Sequence, residues 1–229
     1  MDEGLAQWVA QAEAVRESGR WKALNARVLE VRADRSPDNG WWGHVIASLV
    51  AQNFAEFCSM EYEYGNRADS ALLAWRDRNL LEVSVWGIYA GSSRANARRI
   101  YEDAGRDIDG VLDAFMKWKA ATRKTENEGR DPLYAAKDEL AENARLVGGI
   151  DSIEGKYKPV SEAADELRFG DYFKANYKLL SKFAHPTAML MLGNMDEAKK
   201  RRQQDFFFAQ GCLHFSTTFS SLERTLGLA

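Results

Sequence analysis

Apolar residues recur at steps of three and four along most of this chain, the spacing of an α-helix with one buried face, and strand-like alternation is nearly absent. Leu5, Trp8, Ala12 and Val15, then Trp21, Leu24, Val28 and Val31, predict one broken helix or two short ones over residues 2–34, on either side of Gly19. Ser36-Pro37-Asp38-Asn39 is a start signal: Ser can cap free backbone amides, Pro suits the first helical position, and Asp suits the positive end of the dipole. The helix it opens should carry Trp42, Ile46, Leu49 and Phe57 inward as far as Tyr64 and stop at Gly65-Asn66. A third helix over 68–90 holds Leu72, Trp75, Leu80, Val83 and Trp86. The clearest period in the chain follows it, Ile100, Ala104, Ile108, Val111, Phe115 and Trp118, and this stripe reads as core.

Residues 125–131 are polar and turn-rich and mark the most exposed loop. Asp131-Pro132 then opens a fifth helix that Gly148-Gly149 closes. Irregular chain over 151–159 leads to a short helix at 161–167 and a longer one from Asp171, with Phe173, Tyr177, Leu180 and Ala184 on one face. That helix should end at His185, because Pro186 disfavours helical geometry in the residue before it. The last helix, over 195–226, begins polar and is then striped with Phe208, Cys212, Phe215, Phe219, Leu222 and Leu226. The expected fold is all-α, an antiparallel bundle of about six or seven helices in one domain spanning 1–229, with 1–35 read as an N-terminal helical extension.

Composition narrows this picture by exclusion. A chain that is 45% hydrophobic and 28% charged has enough apolar residue to fold around a core, and a net charge of -3 lacks the basic excess of a general nucleic-acid binder. The longest apolar run, 188–192, is far too short to cross a bilayer, so no membrane partner is expected. Two cysteines, Cys58 and Cys212, make no disulfide framework, and an acidic N-terminus lacks the form of a signal peptide; both point to the cytoplasm. Phosphate-binding glycine loops are missing. The three histidines, His44, His185 and His214, have neither Glu-x-x-His nor His-Glu-x-x-His spacing, so no metal or other cofactor is expected. Lys199-Lys200-Arg201-Arg202 follows Asp196 and Glu197 and reads as a solvated helix face.

Two constellations could carry chemistry. Arg78 and Glu82 lie one helical turn apart and can pair, with Asn79 beside them, near the apolar side of the third helix. The structural alternative for them is an ion pair serving the fold. Ser181 and His185 share a face at a spacing of four, one turn beyond Tyr177 and Lys178. Here the alternative is a histidine that satisfies free carbonyls at a helix end. Arg78, Glu82, Ser181 and His185 are expected to converge in one polar cluster.

The stretch Tyr177-x-x-Leu180-Ser181-x-x-x-His185-Pro186, together with Arg78-x-x-x-Glu82, resembles an uncharacterised family of bacterial all-helical proteins. More distantly it resembles the HEPN superfamily of helical bundles, many of them metal-independent RNases or toxins of defence systems that act as dimers. The latter resemblance implies RNA as a partner, a homodimer, His185 as acid or base, and an Arg ahead of it across a spacer of four to six residues. This chain has Lys178 there, with six residues between it and His185, and no Arg between Arg168 and His185. Arg78, Asn79, Glu82, Tyr177 and Ser181 would then support the site. The competing expectation is a non-catalytic bundle that binds a protein or small ligand through the same residues, held as a buried polar network.

Overall fold

A computed structural model describes residues 3–34, 36, 39–122, 132–148, 158–185 and 196–228. Among these there are nine helices and no strand: α1 (Glu3–Glu17), α2 (Arg20–Ala33), α3 (Gly40–Gly65), α4 (Ser70–Ser92), α5 (Arg94–Thr122), α6 (Pro132–Gly148), α7 (Val160–Glu166), α8 (Gly170–Ala184) and α9 (Glu197–Thr225). The count exceeds the expected six or seven, with the N-terminal stretch divided at Ser18-Gly19 into two helices and the short helix expected at 161–167 present as α7. The expected loop at 125–131, most of the irregular stretch at 151–159, Gly149, and Pro186 with the apolar run after it lie outside the described residues. No described helix is long and apolar enough to cross a membrane.

Local chemistry sets the helix ends. Asp69 caps α4 by accepting the Ala71 amide at 2.7 Å, and Asp196 caps α9 by accepting the Lys199 amide at 2.8 Å. At α3 the expected Ser36 cap is not used: the helix begins at Gly40, and the buried Ser36 hydroxyl has no hydrogen-bond partner. Asn39 sits at that N-cap without capping it, because its amide donates to Asp34 at 2.8 Å and its carbonyl accepts from Arg94 at 2.7 Å. α3, α7 and α9 all close with the same pair of backbone bonds, in which a left-handed residue (Arg67, Arg168 or Gly227) donates three residues back and its successor donates five back. Gly65 is thus the last turn of α3, and Arg67 takes the left-handed place a glycine would have marked in the sequence.

α9 and α4 form the centre, with α3 and α1 against α9, and with α3, α5, α7 and α8 against α4. The stripe expected on α9 is buried throughout. It meets α3 through parallel ring stacks, Phe57 on Phe215 at 3.9 Å and Tyr64 on Phe208 at 4.0 Å. Gly87 lets α4 approach α9 closely, since a Cβ there would lie 2.9 Å from the Thr218 methyl carbon.

Two expected core faces differ. On α4 the buried face is Leu73, Ala74, Asp77, Leu80, Leu81, Ser84 and Val85, so Leu72 and Trp75 lie outside. On α5 only Ala97 and Asp103 are buried. The well-patterned Ile108, Val111, Phe115 and Trp118 are each more than half exposed; along this part of the helix, α6 is tied on by Lys137, which pairs with Asp109 and Asp113.

Gly43 is the tightest crossing: a Cβ on it would overlap the Val31 carbonyl oxygen of α2, a backbone atom that cannot swing aside. Gly43→Ala is expected to cost about 2 kcal/mol by overpacking. Gly110→Ala, where a Cβ meets nothing within 4 Å, should gain up to about 1 kcal/mol by restricting the unfolded chain. Denaturant unfolding of both variants reads the contrast, and equal stabilities would contradict the close approach of α2 and α3.

Candidate functional site

α8 lies against α4 and α7, and on the side facing α5 the helices leave a cleft of about 650 Å³. Its inner wall is apolar, from Trp86, Ile100, Val160 and Phe173. Its charges balance: Arg78, Lys158 and Lys174 against Glu82, Asp103 and Asp107. Most of these are committed, Asp103 to Arg99 and Arg106, Lys158 to Glu166, and Lys174 to Asp165.

Arg78 is the hub. Its Nε donates to Glu82 Oε1 at 3.2 Å, Nη1 lies 3.1 Å from His185 Nε2, and Nη2 donates to the Tyr177 hydroxyl. The guanidinium also sits over the Tyr177 ring, 4.4 Å from its centroid. Only a planar donor fork can serve a carboxylate, an imidazole and a phenol from one side chain. Since guanidinium has no acceptor, its bond to His185 requires an imidazole with a free lone pair on Nε2 and its proton on Nδ1. Burial raises the Glu82 carboxyl above its ordinary range, against the opposing pull of Arg78.

His185 leaves the helix as expected of a residue before proline, taking an extended conformation at the C-cap of α8 (φ -113°, ψ 151°). It is exposed there and within reach of Arg78. The structure therefore brings Arg78, Glu82, Tyr177 and His185 together. Ser181 is not drawn in by hydrogen bonding: its hydroxyl is buried without a partner. Asn79 is half-buried and outside the described cleft lining. Lys178 is exposed and, like Ser181 and His185, outside that lining; the cation in contact with His185 is Arg78, supplied by a different helix.

A second polar assembly, which the sequence reading did not identify, lies between α4, α8 and α9. His214 Nδ1 is 2.8 Å from Asp77 Oδ1, and the Tyr172 hydroxyl is 3.0 Å from His214 Nε2. Asp77 is wholly buried and His214 nearly so. Burial pushes the Asp77 carboxyl up to about 6, and His214 opposes the rise. The signal in the sequence was Asp77 on the stripe of Leu73, Leu80 and Leu81: a carboxylate on a core face needs a partner. His214, on the facing stripe of α9, supplies it rather than merely packing beside Phe215. His44, expected to pack beside Trp41 and Trp42, is exposed and meets Tyr101 edge-on at 6.3 Å.

Among the described residues no group of three or more His, Cys, Asp or Glu side chains is arranged to hold a metal ion. Cys58 and Cys212 are both free, and burial raises the Cys212 thiol far above its ordinary value. The basic run at the start of α9 is exposed, with Lys199, Lys200 and Arg201 paired to Asp196, Glu197 and Asp205. The chain matches no protein-family model, no curated protein and no solved structure in the comparisons made with each.

The Asp77 carboxyl gives a pH dependence with a definite sign. A carboxyl held near 6 in the fold and near its ordinary 3.8 in the unfolded chain binds protons more tightly in the fold. Its contribution is complete below the unfolded value and is lost as pH rises through about 4 to 6, on the order of 1–3 kcal/mol. Urea unfolding of the native protein should therefore lose stability relative to Asp77→Asn across that window and run parallel to it above. A constant difference at every pH would contradict the raised carboxyl.

Proposed function

We propose that the cleft is a site of acid–base chemistry on a phosphodiester, with RNA as the substrate, of the kind the HEPN resemblance implies. The observation that carries this reading is the 3.1 Å contact between Arg78, which lines the cleft, and the exposed His185 just outside its described lining. A cation to neutralise a phosphoryl oxygen and an imidazole to move a proton are the two groups that metal-independent cleavage needs, and they must be adjacent. His185 Nε2 takes the proton of a ribose 2′-hydroxyl as that oxygen attacks phosphorus. Arg78 turns its fork to the non-bridging oxygens, and the departing 5′ oxygen gains its proton from water on the open side. The products are a 2′,3′-cyclic phosphate and a 5′-hydroxyl. Tyr177 and Trp86 offer aromatic surface for a base beside the cleavage point.

One observation favours the competing reading, a non-catalytic bundle that binds a small ligand or a protein. Three donors of Arg78 are already spent on Glu82, His185 and Tyr177. A cluster so satisfied can serve to fasten α8 to α4, beside a cleft whose apolar wall suits a small partly apolar ligand.

Incubation of native protein, His185→Ala, Arg78→Ala and Lys178→Ala with single-stranded and structured RNA in the presence of chelator separates the two. Loss of the acid–base group is expected to slow cleavage by about 100-fold or more. Arg78→Ala should follow it, while Lys178→Ala, a lone exposed cation, changes it by about threefold or less, in a salt-dependent way. Thermal unfolding is followed in parallel. Intact RNA with well-folded native protein, and a less stable His185→Ala, would sink the RNase reading for these substrates.

A further inference from the structure

α8 is gripped from two sides by consecutive residues of α4. Arg78, on the cleft wall, reaches Tyr177 and His185, and Asp77 reaches Tyr172 through His214 of α9. We propose that Asp77, His214 and Tyr172 are positioning residues for the cleft: the relay seats α8 and couples the Arg78–His185 contact to protonation of the buried pair. Its importance for activity rests on the role proposed above for His185, while the structural coupling stands on the geometry.

The relay has two hydrogen-bonded arrangements rather than one. With Nδ1–H of His214 donating to Asp77, Nε2 accepts the phenol proton of Tyr172. A proton added to the imidazole makes both ring nitrogens donors, so the Tyr172 oxygen must accept and its own proton must turn elsewhere. An acceptor is at hand. Gln210, buried on α9, donates its Nε2 to Asn176 of α8, and its Oε1 is buried without a partner. Asp77 Oδ2 is likewise buried and unpartnered, so the carboxylate can take up a proton without breaking an existing bond.

The change reaches the cleft along α8. Tyr172 and Tyr177 are five residues apart, about 7.5 Å of helix rise, and a packed helix passes a shift at one clasp to the other. Asp77 titrates in an accessible range because burial holds its carboxyl near 6. The charged and titratable groups around it are few. α8 contributes Tyr172, and α9 contributes His214 and the thiol of Cys212. Glu56 and Glu63 of α3 are held by Arg76, and Arg78 is turned to the cleft.

The chain has only three histidines, so carbon-13 labelling of histidine gives three ring signals, assigned by single substitution and followed between about pH 4.5 and 8.5. In the native protein the His185 signal should carry, beside its main curve, a second inflection that follows the Asp77 carboxyl near pH 6. Asp77→Asn keeps the hydrogen-bond geometry but removes the carboxyl. It should leave the His185 shift at neutral pH unchanged and abolish the second inflection. Tyr172→Phe removes one oxygen and should move the His185 signal toward its position in Arg78→Gln, where the guanidinium is gone. A single His185 curve in the native protein overturns the coupling without recourse to any variant. Superimposable curves in the native protein and in folded Tyr172→Phe overturn the positioning role. RNA is absent from the experiment, so failure of the cleavage reading and failure of this inference are read separately.

Discussion

The bond between Asp77 and His214 is the constraint on which the arrangement of the site depends. A carboxylate with no exposed surface is tolerated only with a partner, and His214 of α9 supplies one at that depth. Satisfying Asp77 fixes the face of α4 turned to α9 and sends the next residue, Arg78, to the cleft. Tyr172 completes the imidazole's hydrogen bonding and so draws α8 into place. The close approach at Gly87 and the ring stacks of α9 on α3 supply burial, but burial is non-directional and leaves rotation about the helix axis loosely specified. Hydrogen bonds at 2.8 and 3.0 Å specify it.

Much of the fold was legible because helical periodicity reports a face, and most faces here are buried. The α9 stripe, Ile46, Leu49 and Phe57 of α3, the stop before Pro186 and the break at Gly19 all follow from spacing and backbone chemistry, while Trp41 rather than the expected Trp42 is the buried ring at the start of α3. Periodicity does not say what covers a face. α5 has the cleanest pattern in the chain, yet its second half leaves Trp118 65% exposed, because position along the helix decides burial and α5 outruns the bundle. The apolar face of α4 was misjudged for a related reason. Its true core face includes Asp77 and Ser84, and a reading by apolar residues alone rotates the helix toward Leu72 and Trp75.

The site was legible where residues are local to one helix and less so where helices meet. Arg78 and Glu82 pair at the spacing of one turn, as expected, and His185 lies where proline forces the chain out of α8. Within α8 the spacing offers Lys178 as the cation ahead of His185, whereas Arg78 of α4 makes the contact. A partner brought by tertiary packing leaves no spacing to read. The same holds for Asp77 and His214, separated by more than half the chain, each of which looks like an isolated oddity on an apolar stripe.

Arg78 makes the difference between a site and a fastening a matter of what the guanidinium can release. A lysine at this position would bind as a point charge and could not hold three acceptors in fixed directions. The planar fork holds them at once, which pre-organises His185 and Tyr177 without a ligand. Exchanging a protein acceptor for a phosphoryl oxygen then replaces one charge-assisted bond with another, and the net cost is small where the incoming oxygen carries more charge than the imidazole nitrogen it displaces. His185 is the member best placed for that exchange, since it lies beyond the last helical residue of α8 and is exposed, whereas Glu82 is held on the same helix as Arg78 and Tyr177 is backed by Phe173. A polar network in which one member can leave while the others stay satisfied can serve as a latch and as a proton-transfer site in the same molecule.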